Sequence, residues 1–403
     1  MNERVTTESL DNGATSASGK RPLNLLWLLV PFAVLGLAIA WLYWANPLSS
    51  FNNGAPPVEN LTVERTILDQ SGLRLLVRAG GSEPMTIAQT QVDAAYWEFT
   101  QDPPGPIDRG ETAWISLPFP WVLGEAHKVT FVTNTGAAFE HEISVAVPTP
   151  VATSGNLVAQ ALLGAFVGIL PVAVGLMFYP ALRGAGPGTM NFLLAMTIGL
   201  LGFLLVDTIE DAMEFAGESA AIFQGPAMVV LAATASFLLL MGVSRREGRP
   251  SGLALATYIA LGIGLHNLGE GLAIGAAFAA GAAGLGTFLV MGFTLHNITE
   301  GIGIAAPILK VKPPLWTFAG LALLAGGPAV IGMWIGSLAY APHWSALALA
   351  IGAGAILQVI IEVGLYLMRS SGRGSSAILS PPVLAGLAVG VGFMYATAML
   401  VKI

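Results

Sequence analysis

Residues 252–280 read GLALATYIALGIGLHNLGEGLAIGAAFAA. As a helix this apolar stretch could cross the hydrocarbon core of a bilayer, which takes roughly 20 residues. Its centre nevertheless carries His266, Asn267 and Glu270. Ionisable groups are costly at that depth, so by default they are functional and face the protein interior. The stretch therefore predicts a membrane-spanning helix with a polar site inside it.

The same polar pattern recurs in the next apolar stretch. Residues 266–271 read HNLGEG and residues 296–301 read HNITEG. On a helix, His and Glu four residues apart share one face, and the Asn flanks the same stripe. Each helix therefore offers an imidazole, an amide oxygen and a carboxylate to one small volume.

Antiparallel pairing of the two helices predicts which side chains lie level with each other. If their turn is centred near residue 283, His266 lies level with Glu300, and Glu270 with His296, both deep in the bilayer. We also expect a group of glycines to let these two helices approach closely; these are Gly262, Gly264, Gly269, Gly271 and Gly275.

The paired motifs predict a divalent-metal site. Imidazole and carboxylate ligands suit Zn²⁺ and also Fe²⁺, Mn²⁺, Co²⁺ and Cd²⁺. The candidate ligands are His266, Asn267, Glu270, His296, Asn297 and Glu300. The alternative is that these groups only hydrogen-bond between helices and specify packing. A pattern duplicated at matching depth disfavours that alternative.

Composition limits the other possibilities. The 403 residues are 54% hydrophobic and only 10% charged, against roughly 25% charged for a soluble domain. A net charge of -7 gives no basic face for nucleic acid. Because the chain contains no cysteine, disulfides, thiolate metal sites and thiol catalysis are excluded.

The chain is expected to have four parts. Residues 1–22 predict a disordered cytoplasmic tail, and residues 23–47 an uncleaved transmembrane anchor. Short alternating strands in residues 56–150 predict an all-β sandwich. Residues 155–403 predict an all-α bundle of eight spans, near 157–181, 189–214, 219–243, 252–280, 286–309, 315–339, 345–368 and 380–401.

The basic residues predict the orientation. If the sandwich is outside, Arg183, Arg245, Lys310 and Arg369 all fall in cytoplasmic loops, as the positive-inside rule requires. We therefore expect a multi-pass inner (plasma) membrane protein with a cytoplasmic N-terminus and an extracytoplasmic sandwich and C-terminus.

Other polar residues suggest a pathway. An acidic stripe near the outer end of the second bundle span predicts a cation entrance; it consists of Asp207, Glu210, Asp211 and Glu214. A solvated helix end is the alternative. In the seventh span, Gln358 and Glu362 are candidates for a supporting or transfer role. His127, His141 and the outer-loop His343 are expected to be structural or surface residues.

The eight-span region resembles the ZIP family of divalent-metal transporters, whose members can carry a His-Asn-x-x-Glu-Gly motif in both the fourth and fifth helices. The resemblance implies an eight-helix bundle, often dimeric, with His266, Glu270, His296 and Glu300 as primary ligands. It also implies an adjacent second site at Asn267 and Asn297.

This sequence departs from the family pattern at several points. Gly269 and Thr299 stand where the family usually has proline, and Ala329 stands where the sixth helix often supplies a glutamate. We therefore expect one tightly bound ion and a weak second one. The anchor and sandwich lie outside the resemblance, and the sequence does not indicate a partner for the sandwich.

The predicted function is transport of a divalent metal in the uptake direction, and the ligand types favour zinc. The expected partners are the metal ion, the lipid bilayer and a second copy of the chain. We expect no catalytic residues and no resident cofactor. Two alternatives remain open, an intramembrane metal-dependent hydrolase and a membrane metal sensor or receptor.

Overall fold

A computed structural model describes residues 25–45, 47, 56–151, 153–246, 248–279, 283–338, 341–370 and 379–401. The chain divides into two compact units, Met1–Pro56 and Pro57–Ile403. In the first unit, helix α1 (Leu25–Ala45) is apolar and contains Pro31. The expected tail, residues 1–22, lies outside the described residues.

The second unit begins with a β-sandwich, as the alternating sequence predicts. Its strands are β1 (Leu61–Asp69), β2 (Gly72–Ala79), β3 (Ile87–Val92), β4 (Ala95–Trp97), β5 (Thr100–Asp102), β6 (Thr112–Leu117), β7 (His127–Thr133) and β8 (Ala138–Ile143). They form two antiparallel four-stranded sheets, ordered β1-β2-β6-β5 and β4-β3-β7-β8.

The core of the sandwich is formed by the apolar residues that alternate with polar ones along the strands. In β2, Leu73, Leu75 and Val77 are buried, whereas Arg74 between them is exposed. Phe131 on β7 belongs to the same apolar cluster. Because alternate side chains of a strand point to opposite faces, each sheet contributes one apolar face to a shared core.

Helices make up the rest of the second unit. They are α2 (Ser154–Val167), α3 (Ile169–Leu176), α4 (Tyr179–Leu182), α5 (Pro187–Glu218), α6 (Gly225–Ser244), α7 (Gly252–Ala279), α8 (Ala283–Ala305), α9 (Leu315–Leu338), α10 (Pro342–Ser370) and α11 (Pro381–Val401). Short 3-10 turns occur at Ala221–Phe223 and Ala306–Ile308.

The described residues contain eight segments that are long and apolar enough to cross a membrane. Their number and approximate positions match the spans expected from the sequence, and this is the character of a multi-pass membrane protein. The first segment differs from a single helix because α2 ends at Gly168. A Cβ at Gly168 would lie 2.3 Å from the Gly326 carbonyl oxygen, so a close backbone contact with α9 accompanies the break.

The glycines of α7 do not perform the role expected from the sequence. A Cβ added at Gly271 would lie 2.1 Å from the Ala329 oxygen on α9, and one at Gly275 would lie 2.4 Å from the Met333 oxygen. Gly262 and Gly269 instead face side chains of α10. The expectation that these glycines bring α7 against α8 is therefore wrong. Helical spacing alone cannot say which neighbour a small-residue face contacts.

The contact between α7 and α9 predicts a sharp difference between two glycines of α9. A Cβ at Gly332 would lie 2.0 Å from the Leu268 oxygen, whereas nothing lies within 4 Å of a Cβ at Gly320. Gly332→Ala is expected to destabilise the protein by about 1–3 kcal/mol or more through overpacking. Gly320→Ala should be neutral or slightly stabilising, because alanine favours helix. Thermal unfolding in detergent measures both, and equal melting temperatures would contradict the close contact.

Candidate metal centre

The six motif residues lie on two neighbouring helices. His266, Asn267 and Glu270 are on α7, and the second set is on α8. All six side chains are buried, with at most 5% of any residue exposed. The level pairing expected from the sequence is present, because His296 Nε2 lies 2.6 Å from Glu270 Oε1.

Glu270 joins the two helices. Its Oε1 lies 3.1 Å from His266 Nε2 and 2.6 Å from His296 Nε2, and its Oε2 accepts a hydrogen bond from Asn297 Nδ2 at 3.1 Å. Because an ionised carboxylate can only accept hydrogen bonds, both imidazoles donate through Nε2 in this arrangement. One carboxylate on α7 therefore fixes two side chains of α8.

A third helix orients His266. The Thr208 hydroxyl on α5 lies 3.1 Å from His266 Nδ1, and Thr208 is buried. With Nε2 donating to Glu270, Nδ1 is left to accept a hydrogen bond, and the hydroxyl can supply it. Sequence reasoning missed Thr208 because a threonine inside an apolar helix carries no distinguishing signal.

Both asparagines are held through their amide nitrogens. Asn267 Nδ2 donates to the Ala325 carbonyl on α9, and Asn297 Nδ2 donates to the Val167 carbonyl on α2, each at 3.0 Å. These bonds identify the nitrogen of each amide. The other amide atom, Oδ1, has no hydrogen-bond partner among the described residues in either case.

Glu300 is also without a hydrogen-bond partner of normal geometry. Both of its carboxylate oxygens are buried and unsatisfied among the described residues. Together with the two Asn Oδ1 atoms they form a set of four buried acceptors, with no unsatisfied donor in these motifs. Burying such groups unpaired is costly. A cation would satisfy all of them, because it interacts favourably with each oxygen.

The spacing of the ligand atoms suits a single ion. One ligand atom each from His266, His296 and Glu300 lies within 4.8 Å of the other two. Tetrahedral Zn²⁺ with bonds of about 2.0–2.2 Å places its ligand atoms roughly 3.3–3.6 Å apart, so the three side chains would move inward on binding. An ion bound at the imidazoles would replace the protons that they now donate to Glu270.

The acidic stripe separates into residues with different surroundings. Asp207 is close enough to His296 to act on it electrostatically. Asp211 and Glu214 line a cavity above the cluster, whereas Glu210 is exposed and does not line it. Glu218, one turn beyond the predicted stripe, lines the same cavity. Two residues of the predicted stripe, Asp211 and Glu214, therefore line the cavity, and the entrance role of the stripe stays a prediction.

The structure does not place the α10 candidates in the cluster. Glu362 Oε1 lies 2.7 Å from Arg245 Nε and 3.3 Å from the Ser244 hydroxyl, both at the end of α6. Gln358, one turn earlier, is buried, and its Nε2 has no partner among the described residues. The buried Glu362 carboxylate forms an ion pair between α6 and α10, and its supporting or transfer role stays a prediction.

His343 and Ala329 are both buried. His343 is not in a surface loop, because α10 begins at Pro342 and His343 is only 8% exposed. Ala329 is buried on α9 beside Gly168 and Gly271. Its packing against two backbones leaves little room for a larger side chain.

No family model matches this chain, and no curated protein matches it either. The fold and site together define a multi-pass membrane protein with a buried cluster of imidazoles and carboxylates.

The hydrogen bond from Thr208 predicts a supporting role in metal binding. Thr208→Val keeps the shape of the side chain but removes the hydroxyl, and it should weaken metal affinity by about tenfold or more because His266 loses its orienting partner. Thr257→Val is the matched control, since the Thr257 hydroxyl donates only to the Leu253 carbonyl of its own helix. Calorimetric titration with Zn²⁺ measures both, and equal affinities would remove Thr208 from the site.

Proposed function

We propose that the protein carries a divalent metal ion, zinc or a close relative, across the inner membrane in the uptake direction. The main support for this proposal is a set of four buried acceptor oxygens on Asn267, Asn297 and Glu300. They lie beside the hydrogen bonds that join the two motif histidines to Glu270. A positively charged ligand would satisfy these oxygen atoms together, and the imidazoles favour a transition metal among the cations.

The depth of the cluster supports transport. Its residues lie in the central parts of the spans Gly252–Ala279 and Gly286–Ile308, and not at their ends. Ionisable residues in such positions mark ion pathways. In the proposed orientation, the sandwich and C-terminus are extracytoplasmic, and Arg245 is at the cytoplasmic end of α6.

The resemblance to ZIP transporters supports the same ligands. His266, Glu270, His296 and Glu300 would hold the primary ion, and the Asn oxygens would face an adjacent one. Ala329 supplies no carboxylate, so a second ion would have fewer charged ligands. We propose that one ion binds tightly, and that a second copy of the chain completes the assembly, as the family suggests.

Transport can be distinguished from a hydrolase or a sensor by accumulation. A carrier in sealed liposomes takes up metal in proportion to time and gradient until equilibrium, whereas a hydrolase or sensor takes up at most the amount that it binds. Liposome uptake with a panel of divalent ions therefore tests the proposal and ranks the substrates.

The cluster predicts a graded response in that assay. Glu270→Ala and Glu300→Ala should abolish uptake, because each removes a charged ligand where water replaces it poorly. His266→Ala and His296→Ala should reduce uptake about 10–100-fold or change metal preference, and the Asn→Ala variants should be milder. Glu210→Ala, an exposed carboxylate outside the cavity, is the control. Full uptake by Glu300→Ala would exclude this site as the transport site.

The cavity residues of α5 should affect capture more than turnover. Asp211→Asn with Glu214→Gln is expected to raise the apparent KM several-fold and weaken its salt dependence, because screened attraction concentrates cations at an entrance. Glu210→Gln should leave the KM unchanged, since this residue does not line the cavity. Initial uptake rates at low and high ionic strength provide the test. If the KM changed equally in both variants, the acidic stripe would be only a solvated helix end and not a cation entrance.

A further inference from the structure

A large cavity lies between the sandwich and the helical bundle. Its volume is about 1350 Å³. Strands β1 and β8 line it from the sandwich, and the ends of α5, α7 and α8 line it from the bundle. The sandwich therefore forms a roof over this end of the bundle, a role that its sequence did not reveal.

The floor of the cavity reaches the immediate neighbourhood of the metal centre. Ala273, which lines the cavity, follows Glu270 by less than one helical turn. Phe293 also lines it, and its ring packs edge-on to His296 with centroids 5.6 Å apart. The Phe293 ring therefore contacts both the cavity and the His296 imidazole.

The charges around the cavity favour cations. Glu142 from the roof joins the carboxylates of α5 in the lining. Arg65 is the lining cation among the described residues, and its guanidinium donates to the Leu338 carbonyl. Burial lowers the pKa of His141, so its ring is neutral at pH 7 and adds no positive charge.

The size of the cavity indicates how an ion would occupy it. One water takes about 30 Å³ in the liquid, so 1350 Å³ accommodates an ion together with its hydration shell. The cavity is therefore suited to collecting hydrated cations, whereas the buried cluster below it offers ligands for a dehydrated one.

The sandwich is held against the bundle by a network of side-chain contacts. The pairing of β1 with β2 shifts register between Val63 and Arg65, which places Glu64 at the irregularity. Glu64 is only 4% exposed and accepts hydrogen bonds from Arg78 Nε at 2.6 Å and Nη2 at 3.0 Å. This buried bidentate pair lies at the junction with the bundle.

The junction closes through two aromatic rings of the bundle. The Arg78 guanidinium lies 5.1 Å from the Phe223 ring centroid, and Phe223 stacks on His343 at 4.3 Å. His343 Nδ1 in turn lies 3.5 Å from Glu64 Oε1. Cation-π and stacking contacts in a desolvated site are stabilising, so this closed ring of four side chains holds the sandwich on the start of α10.

We propose that the sandwich is a fixed wall of the cargo's route, and that hydrated divalent cations reach the buried cluster through the cavity between β1, β8 and the bundle. The inference rests on the proposed function, because it names the path to that site. It assigns the sandwich a direct part in cation capture.

Because the chain lacks cysteine, single thiols can be used to test the route. Ser144→Cys places a thiol on the roof, where Ser144 is exposed and lines the cavity. Ala95→Cys is the matched control, since Ala95 is exposed on β4, at the opposite edge of the same sheet. Each variant is labelled with a bulky polyethylene glycol maleimide as the full chain in detergent.

The readout is the rate at which Co²⁺ binds, followed by its visible absorption, with Glu300→Ala to assign the signal to the cluster. Labelled Ser144→Cys should slow association at least about fivefold by obstructing access. Its equilibrium affinity should stay unchanged, which also shows that the labelled protein is folded. Labelled Ala95→Cys should change the rate less than twofold. Equal rates for the two labelled proteins would overturn the route.

A charge reversal provides a second variant that needs no label. Glu142→Lys should slow Co²⁺ association several-fold at low salt, and high salt should largely remove the difference. Glu98→Lys reverses an exposed charge that does not line the cavity and should have little effect. Equal effects of the two reversals would contradict a specific path beneath the roof.

These experiments separate the two proposals. If roof labelling slows Co²⁺ binding but liposomes accumulate no metal, transport is wrong and the route stands. If uptake is normal and roof labelling changes neither uptake nor binding rate, the route is wrong and transport stands. Failure of the unmodified protein to bind Co²⁺ would overturn both.

Discussion

The site depends on the Glu270 carboxylate, which contacts both histidines and Asn297 from a position surrounded by apolar helices. A buried carboxylate is tolerated only when its lone pairs are satisfied. Here the partners come from both helices, so the need to satisfy Glu270 also fixes the level of α8 against α7. Glu300, at the matching position of the second motif, remains without such partners. The two equivalent glutamates therefore differ in their hydrogen-bond partners among the described residues.

Close backbone contacts supply the rigidity around that interaction. Gly271 and Gly275 on α7 and Gly332 on α9 bring the two helices together so that a single methyl group would clash with backbone. The same α9 provides the Ala325 carbonyl that anchors Asn267. A helix that carries no charged candidate ligand therefore orients the Asn267 amide, because its carbonyl accepts from Nδ2 and leaves Oδ1 free of that bond.

The sandwich and the bundle both line the large cavity. The bundle alone buries the cluster, whereas the sandwich partly covers the space above it and adds acidic groups to that space. A rigid junction through Glu64, Arg78 and His343 keeps the covered space in place. In the proposed route, a wide cavity would favour hydrated ions, and the narrow buried cluster would favour direct coordination.

The sequence by itself determined the elements and the main cluster, because hydropathy, strand alternation and the spacing of two HNxxEG motifs are local properties. Eight apolar segments, a two-sheet sandwich and the level of Glu270 with His296 all follow from them. Only the tertiary structure decided which residues of different helices contact each other. Thr208 contacts His266, Arg245 pairs with Glu362, and α9 packs against the glycines of α7. The tertiary structure also decided the placement of the sandwich over the cavity. Such contacts join residues far apart in the chain, and helical periodicity fixes which residues share a face without fixing which neighbour that face meets.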